Sequence, residues 1–429
     1  MSNYDLIIIG AGIAGLSLGA LVSKMGKKVI ILEKNIIGGR ARIWRKNGYK
    51  VDFGIHTLKG AHIKILKELN EGLIPTKRLP LSKGFIIEDN GILHKTPKLM
   101  SMIRYNFINR KELTKLVKIL LPLFLSNPDN YCKISIMKWL EYQNASENII
   151  KLIKILCTFL LVSPHLERLS LGELIYELKN LKLGNLGHPI GGFDSVLNFF
   201  IKVIKKYGNT IITGKNGKVN EILIENETAY GVKIGNQILT SRFIVVAFPI
   251  YEIFDILDEK YLDKSFVQKI KSLRPTSGIS IDFGIKSKIF KETGFITLDP
   301  VTMGFFSSNI DNTIAPKDKQ LLTVYNILNL EDINDPNIAK QKLKYLKNKL
   351  FKMFPKLKDN IEWERPLFLK IVDGIEPTIQ NSYLDRPGNI IPKIKNLFVA
   401  SDTTNAHGTG GNIAFNSAWN CYQILKRVL

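Results

Sequence analysis

The chain has 429 residues, 45% apolar and 23% charged, a globular composition in a chain too long for one ordinary core. Its 61 Lys and Arg against 38 Asp and Glu leave a net charge of +23. The basic residues are scattered, no zinc-finger, RNP or helix-turn-helix pattern accompanies them, and a nucleic-acid partner is not expected.

Cys132, Cys157 and Cys421 have neither metal-ligand spacing nor a disulfide framework, so no metal is expected and a reducing, cytoplasmic setting is. The first residues run into an apolar strand pattern with no basic region or small-residue cleavage site, so no secretory leader is expected. No apolar run approaches the roughly 20 residues of a membrane span. The positive charge has two readings: compositional drift in an Ile-, Lys- and Asn-rich chain, or peripheral attraction to an anionic membrane.

Tyr4 to Ile9 reads as a short buried parallel strand. Gly10-Ala11-Gly12-Ile13-Ala14-Gly15 follows, with the spacing G-x-G-x-x-G. A helix is predicted over Ile13 to Met25, with Leu16, Ala20, Leu21 and Met25 on one face and Gly26 as its stop. Lys28 to Leu32 is a second strand with Glu33 at its end. In such a β-α-β unit, Gly10 permits the tight turn, Gly12 admits a pyrophosphate to the backbone and Gly15 lets helix pack on strand. The helix N-terminus faces the phosphates. Glu33 accepts from a ribose diol and repels a 2′-phosphate.

Next come Gly38-Gly39-Arg40-Ala41 and then Asp52-Phe53-Gly54-Ile55-His56. A nicotinamide dehydrogenase has no need of a second glycine pair carrying an arginine so soon after the ribose acid, whereas a longer cofactor does: Gly39 allows close approach and Arg40 neutralises pyrophosphate charge. On these two motifs the chain resembles the phytoene desaturase, retinol saturase and flavin amine oxidase group of FAD-dependent oxidoreductases. The resemblance implies an α/β fold: a Rossmann-like FAD-binding domain with a discontinuous α+β substrate domain. It places FAD against Gly10, Gly12, Ile13, Ala14, Gly15, Glu33, Lys34, Gly39, Arg40, Gly54, Ile55 and His56. His56 at the flavin face is a candidate catalytic proton donor or acceptor.

Residues 81–184 read as largely helical, with an apolar face of Leu113, Leu116, Val117, Leu120, Leu121 and Phe124 and a second helical segment over Ile149 to Leu161. These are core helices of the substrate domain or a membrane-dipping entrance. Gly191-Gly192 precedes an amphipathic helix, and the strand-rich run 209–249 resembles the group's middle segment, where Val219 is the match for a residue that fixes the adenine. Segments 277–285 and 294–300 alternate like strands that floor a cavity. The strand Thr276 to Ile285 has no lysine to match the flavin-facing lysine of amine oxidases, which weakens that reading. Asp282 and Glu376 read as isolated structural or solvated acids, and His62, His94, His165 and His188 as ordinary histidines, His188 in a turn.

Near the C-terminus, Leu397-Phe398-Val399-Ala400-Ser401-Asp402 resembles the group's last strand, with Ser401 in place of the usual glycine. The resemblance assigns Asp402 to the ribityl or pyrophosphate part of FAD, and Gly411, Asn412 and Ile413 to the start of a last helix that points at the flavin's pyrimidine edge. The helix is expected over Ile413 to Leu429. His407, beside the glycine-rich turn, is the second catalytic candidate. The FAD domain is expected at 1–80, 185–255 and 385–429, and the substrate domain at 81–184 and 256–384. The expected substrate is an apolar isoprenoid or polyene, undergoing desaturation, saturation or isomerisation; an amine or porphyrinogen-like ring is the alternative.

Overall fold

The computed structural model describes residues 3–78, 85–89, 91–95, 109–180 and 186–429. The domain joints expected at 80/81 and 184/185, and the side chain of His94, lie outside the described residues. The described chain is a mixed α/β fold with two seven-stranded sheets.

The first sheet is built on Tyr4–Ile9. It pairs in parallel with Val29–Glu33 on one side and with Gln237–Val246 on the other. Thr210–Thr213 extends the sheet beyond Val29–Glu33, and Leu397–Val399 joins Gln237–Val246, both in parallel. Gln237–Val246 serves two neighbourhoods. Its first half pairs antiparallel with Thr228–Ile234, and its second half lies among parallel strands. Every residue of Val29–Glu33 is buried, which explains the unbroken apolar run that the sequence shows there.

The first helix, Ile13–Lys24, is buried all round from Ile13 to Ser23. The one-faced pattern read from the sequence understates this: the helix packs against the sheet, Phe193–Lys206 and the last helix together. That last helix runs Gly411–Leu425, starting and ending earlier than expected, and Glu33 ends its strand.

The second sheet has the order Ile361–Leu369, Ser277–Ile285, Gln320–Leu328, Val301–Phe305, Gly294–Leu298, Phe85–Asp89 and Ile92–Lys95. All its pairings are antiparallel except Phe85–Asp89 with Gly294–Leu298. The helices Arg110–Leu120, Ile136–Tyr142, Glu147–Leu161 and Leu171–Asn180 form a separate apolar cluster around Leu140, Ile153 and Leu174. Two acids expected to be isolated are buried ion-pair partners instead. Asp282 accepts from Arg365 Nη2 (2.7 Å) and Thr323 Oγ1 (2.7 Å), and Glu376 from Arg168 Nε (2.9 Å) and Ser163 Oγ (2.7 Å). Burying a carboxylate is costly without such partners. His188 is not in a turn; it lies buried in the short strand Gly187–Pro189.

Candidate functional site

Between the first strand, the first helix and the Leu397–Val399 strand lies a cleft of about 460 Å³. Each glycine of the opening motif has its own reason. Gly10 has φ +114°, and a Cβ there would sit 2.8 Å from the Ala247 carbonyl oxygen, so only glycine fits. A Cβ on Gly15 would fall 2.0 Å from the Gly10 carbonyl oxygen; the helix lies this close to the strand because it carries no side chain there. A Cβ on Gly12 would meet nothing within 4 Å, because that side is the cleft. No side chain caps the helix that Gly12 begins. Its first N–H groups therefore face the cleft, an arrangement suited to pyrophosphate.

Glu33 is held by its own surroundings. Its carboxylate accepts the N–H of Ala11 (2.9 Å) and of Asn35 (2.8 Å). Gly38, at φ +108°, folds the next loop back, and its N–H donates to the Ala11 carbonyl (2.8 Å). This brings Arg40 over the cleft. Arg40 and Asp402, expected to touch different parts of the cofactor, are bonded to one another: Arg40 Nη2 donates to Asp402 Oδ1 at 2.7 Å. The other carboxylate oxygen of Asp402 accepts the Gly374 N–H at 2.7 Å. Burial pushes the Asp402 carboxyl up, but Arg40 and the Gly374 N–H outweigh it and hold it below the usual range. Asp402 stays ionised and aims the guanidinium.

Of the cofactor residues read from the sequence, Gly10, Gly12, Ile13, Ala14, Glu33, Lys34, Gly39, Arg40, Gly54, Ile55, Asp402 and Gly411 line this one cleft. Lys34 also lies 3.6 Å from the Glu252 carboxylate. Gly15 stands behind the cleft as a packing position. Val219 and Ile413 are buried in the core on the sheet's other face. His56 and Asn412 line an adjoining cavity instead.

That cavity, of about 120 Å³, is enclosed by Phe159 and Val162 from the helical cluster, Ile279, Tyr325 and Leu369 from the second sheet, and Phe415 from the last helix. It meets the cleft at Gly54, Ile55, Val372, Asp373, Gly410 and Gly411, which line both. His56 lines the cavity alongside Phe305, 6.2 Å between ring centres, with Nδ1 3.6 Å from the Asp52 carboxylate. The other Asp52 oxygen accepts the Phe193 N–H at 2.9 Å, so the carboxylate is fixed beside the imidazole. His407 lines neither space. Its ring stacks on Tyr176 at 4.2 Å and meets Tyr383 edge-on at 4.3 Å, a packing position that does not support the catalytic role expected for it. Burial and the nearby Arg386 charge hold its pKa down.

Two polar residues of the cavity were missed in the sequence. The strand Ser277–Ile285 indeed brings no lysine, but Lys59 reaches the cavity from another segment, donating to Thr409 Oγ1 (2.9 Å) and the Leu160 carbonyl (3.2 Å). Asp373 enters from the turn after Ile361–Leu369. Neither has a local signature; Gly374, where a Cβ would sit 2.4 Å from Asp402 Oδ1, was the one available hint of a close approach there.

Residues 8–69 match the family model of the NAD(P)-binding Rossmann-like domain. The chain is 23% identical over 346 residues to the inactive all-trans-retinol 13,14-reductase of Danio rerio, covering 69% of this chain and 56% of that protein. It is 23% identical over 397 residues to the chloroplastic prolycopene isomerase of Daucus carota, covering 77% of this chain and 62% of that protein. The chain thus spans less than two thirds of the length of either relative. An oxidoreductase from Methanosarcina mazei has the same fold, with a TM-score of 0.80 at 21% identity over 98% of this chain and 99% of that one. In its fold, its glycine-lined cleft and these likenesses, the chain is similar to the group of oxidoreductases that includes phytoene desaturases, retinol saturases and flavin amine oxidases.

Proposed function

We propose that the protein binds FAD in the glycine-lined cleft and uses it to exchange hydrogen with an apolar isoprenoid or polyene. The observation that carries this reading is the shared wall: an apolar cavity opens onto the cofactor cleft along Gly54, Ile55, Val372 and Gly410–Gly411. Bound there, the flavin supplies hydride exchange. The chain's own residues do the rest. Arg40 and the first helix offset pyrophosphate charge. Phe159, Ile279, Phe305 and Leu369 exclude water and receive an apolar chain. The names of the two relatives point to polyenes, all-trans-retinol for a reductase named as inactive and prolycopene for an isomerase.

The size of the cavity bears on how such a substrate sits. A cavity on the order of 150 Å³ holds a benzene ring, and this one measures about 120 Å³. It takes the reacting end of an extended chain while the remainder lies outside. The exposed apolar residues Val117, Leu121, Phe124 and Leu125, next to Lys118, are a face that would rest on an anionic membrane from which such a chain is drawn. No helix among the described residues is long and apolar enough to cross a membrane.

The test is an anaerobic flavin spectrum of the purified protein, titrated with detergent-dispersed polyenes, small amines and NAD(P)H. Reduction of the oxidised band by a polyene, or reoxidation of the reduced protein by one, is the expected outcome. Reduction by an amine alone would transfer the reading to the amine oxidase branch.

A further inference from the structure

Of the residues that line both the cleft and the cavity, Asp373 alone is titratable. Its backbone is pinned to the start of the Ser277–Ile285 strand: its N–H donates to Thr276 Oγ1 (2.9 Å) and its carbonyl accepts the Thr276 N–H (3.1 Å). Its carboxylate lies against the start of the last helix. A Cβ on Gly410, the residue before that helix, would fall 2.8 Å from Oδ1 and 3.0 Å from Oδ2. No side chain caps this helix, and no donor among the described residues hydrogen-bonds the Asp373 carboxylate. The groups that face it are Asp402 and Arg40 on the cleft side, Lys59 on the cavity side and Tyr325 on the Gln320–Leu328 strand.

Resting on the FAD reading above, we propose that Asp373 takes up a proton whenever the cofactor is reduced, so that a hydride and a proton come to lie side by side where the cavity opens. Two-electron reduction with one proton leaves a negative charge on the flavin, and the positive end of the last helix is the feature that stabilises it. A carboxylate against the same helix start faces that charge. Two negative charges drawn to one helix start at a partly dry site raise one another's pKa, and the one that can protonate does so. The ground is prepared by the chain alone: burial, and then the Asp402 charge, already lift Asp373 to about 6 against the pull of Arg40 and Lys59.

The balance is complete. Two electrons and one proton reduce the ring, and a second proton from solvent converts the Asp373 carboxylate to the acid. In the reverse direction, the hydride and the Asp373 proton are the two hydrogens that saturation of a C=C bond requires. In desaturation the same two sites receive them from the substrate.

The experiment uses the flavin-loaded protein and its D373N variant, and reads the midpoint potential of the bound flavin from pH 6.5 to 8.5. In the wild type each pH unit is expected to lower the reduction equilibrium about 100-fold, two protons per two electrons. In D373N it is expected to fall about 10-fold, which for a two-electron couple is about 30 mV per pH unit. Equal slopes overturn the proposal. Should D373N lose its flavin, proton uptake on reduction of the wild type decides, measured with an indicator dye in weak buffer at pH 7.5. Close to two protons are expected, and one overturns the proposal. A wild-type protein that binds no FAD fails the cofactor reading itself, and this inference falls with it.

Discussion

The cofactor cleft and the cavity beside it share a wall but are built from different materials. The cleft is held by backbone and charge: Glu33 on the N–H of Ala11, Gly38 on the Ala11 carbonyl, Arg40 on Asp402, Asp402 on Gly374. Few of its positions tolerate change, because a Cβ would collide or a buried charge would lose its partner. The cavity is held by side-chain volume from three separate regions, the helical cluster, the second sheet and the last helix. Apolar volume can be supplied in many ways, so its positions are exchangeable where those of the cleft are not. The difference teaches which half of the site fixes the chemistry and which half is free to choose the substrate.

The strongest way to break this contrast is at the glycines. G15V drives a side chain into the Gly10 carbonyl and is expected to abolish both stable folding and flavin retention, read by yield and absorbance. G12A is its control. With nothing within 4 Å of the new methyl, the apoprotein should melt as the wild type does while FAD affinity falls at least tenfold, because the methyl occupies cofactor space. Next in size is R40A, which leaves the buried Asp402 without its cation. A loss of about 3–5 kcal/mol is expected in denaturant unfolding, partly restored in R40A/D402N.

A further variant probes the helices behind the cavity. Glu177, in Leu171–Asn180, is lifted by burial from 4.5 to about 7, against the pull of Lys59. Its folded-state value is raised, so its stabilising contribution is present below about pH 4.5 and is lost as pH rises through about 7. E177Q should therefore match the wild type at pH 4.5 and exceed it at pH 8, by on the order of 3 kcal/mol at most. An unchanged gap across that window would sink the assignment. The smallest effect belongs to the cavity wall. F305A should weaken apolar-ligand binding about tenfold, on the order of 1.4 kcal/mol, with flavin content unchanged.

The two halves also differed in how far the sequence revealed them. The glycines and Glu33 were legible because each answers to a constraint within a few residues, a turn, a helix start or a strand end; Arg40 came from the second glycine pair and Asp402 from the resemblance, while their bond to one another spans 362 positions. The cavity was not. Lys59 lies 350 positions from Thr409, its hydrogen-bond partner, and nothing near Asp373 announces that its turn lies against the last helix. Asp282 and Glu376 looked solitary because their arginines are 83 and 208 positions away. His407 was drawn to the flavin by its glycine neighbours, yet Tyr176 and Tyr383 claim its ring. Burial explains the remaining differences: a helix sunk among three partners loses the two-faced pattern by which helices are recognised.

The pairing of Leu397–Val399 with Gln237–Val246, and the packing of Gly411–Leu425 on Ile13–Lys24, have a consequence for synthesis. The glycine turn that starts the cleft leaves the ribosome early, while Asp402 and the last helix that complete it emerge more than 360 residues later. At about 5–20 residues per second, that wait is on the order of tens of seconds. Throughout it the first helix lacks the last of its packing partners, although Val29–Glu33, Phe193–Lys206 and Gln237–Val246 are made in the meantime. On the FAD reading proposed above, cofactor capture is therefore a late event in the life of the nascent chain.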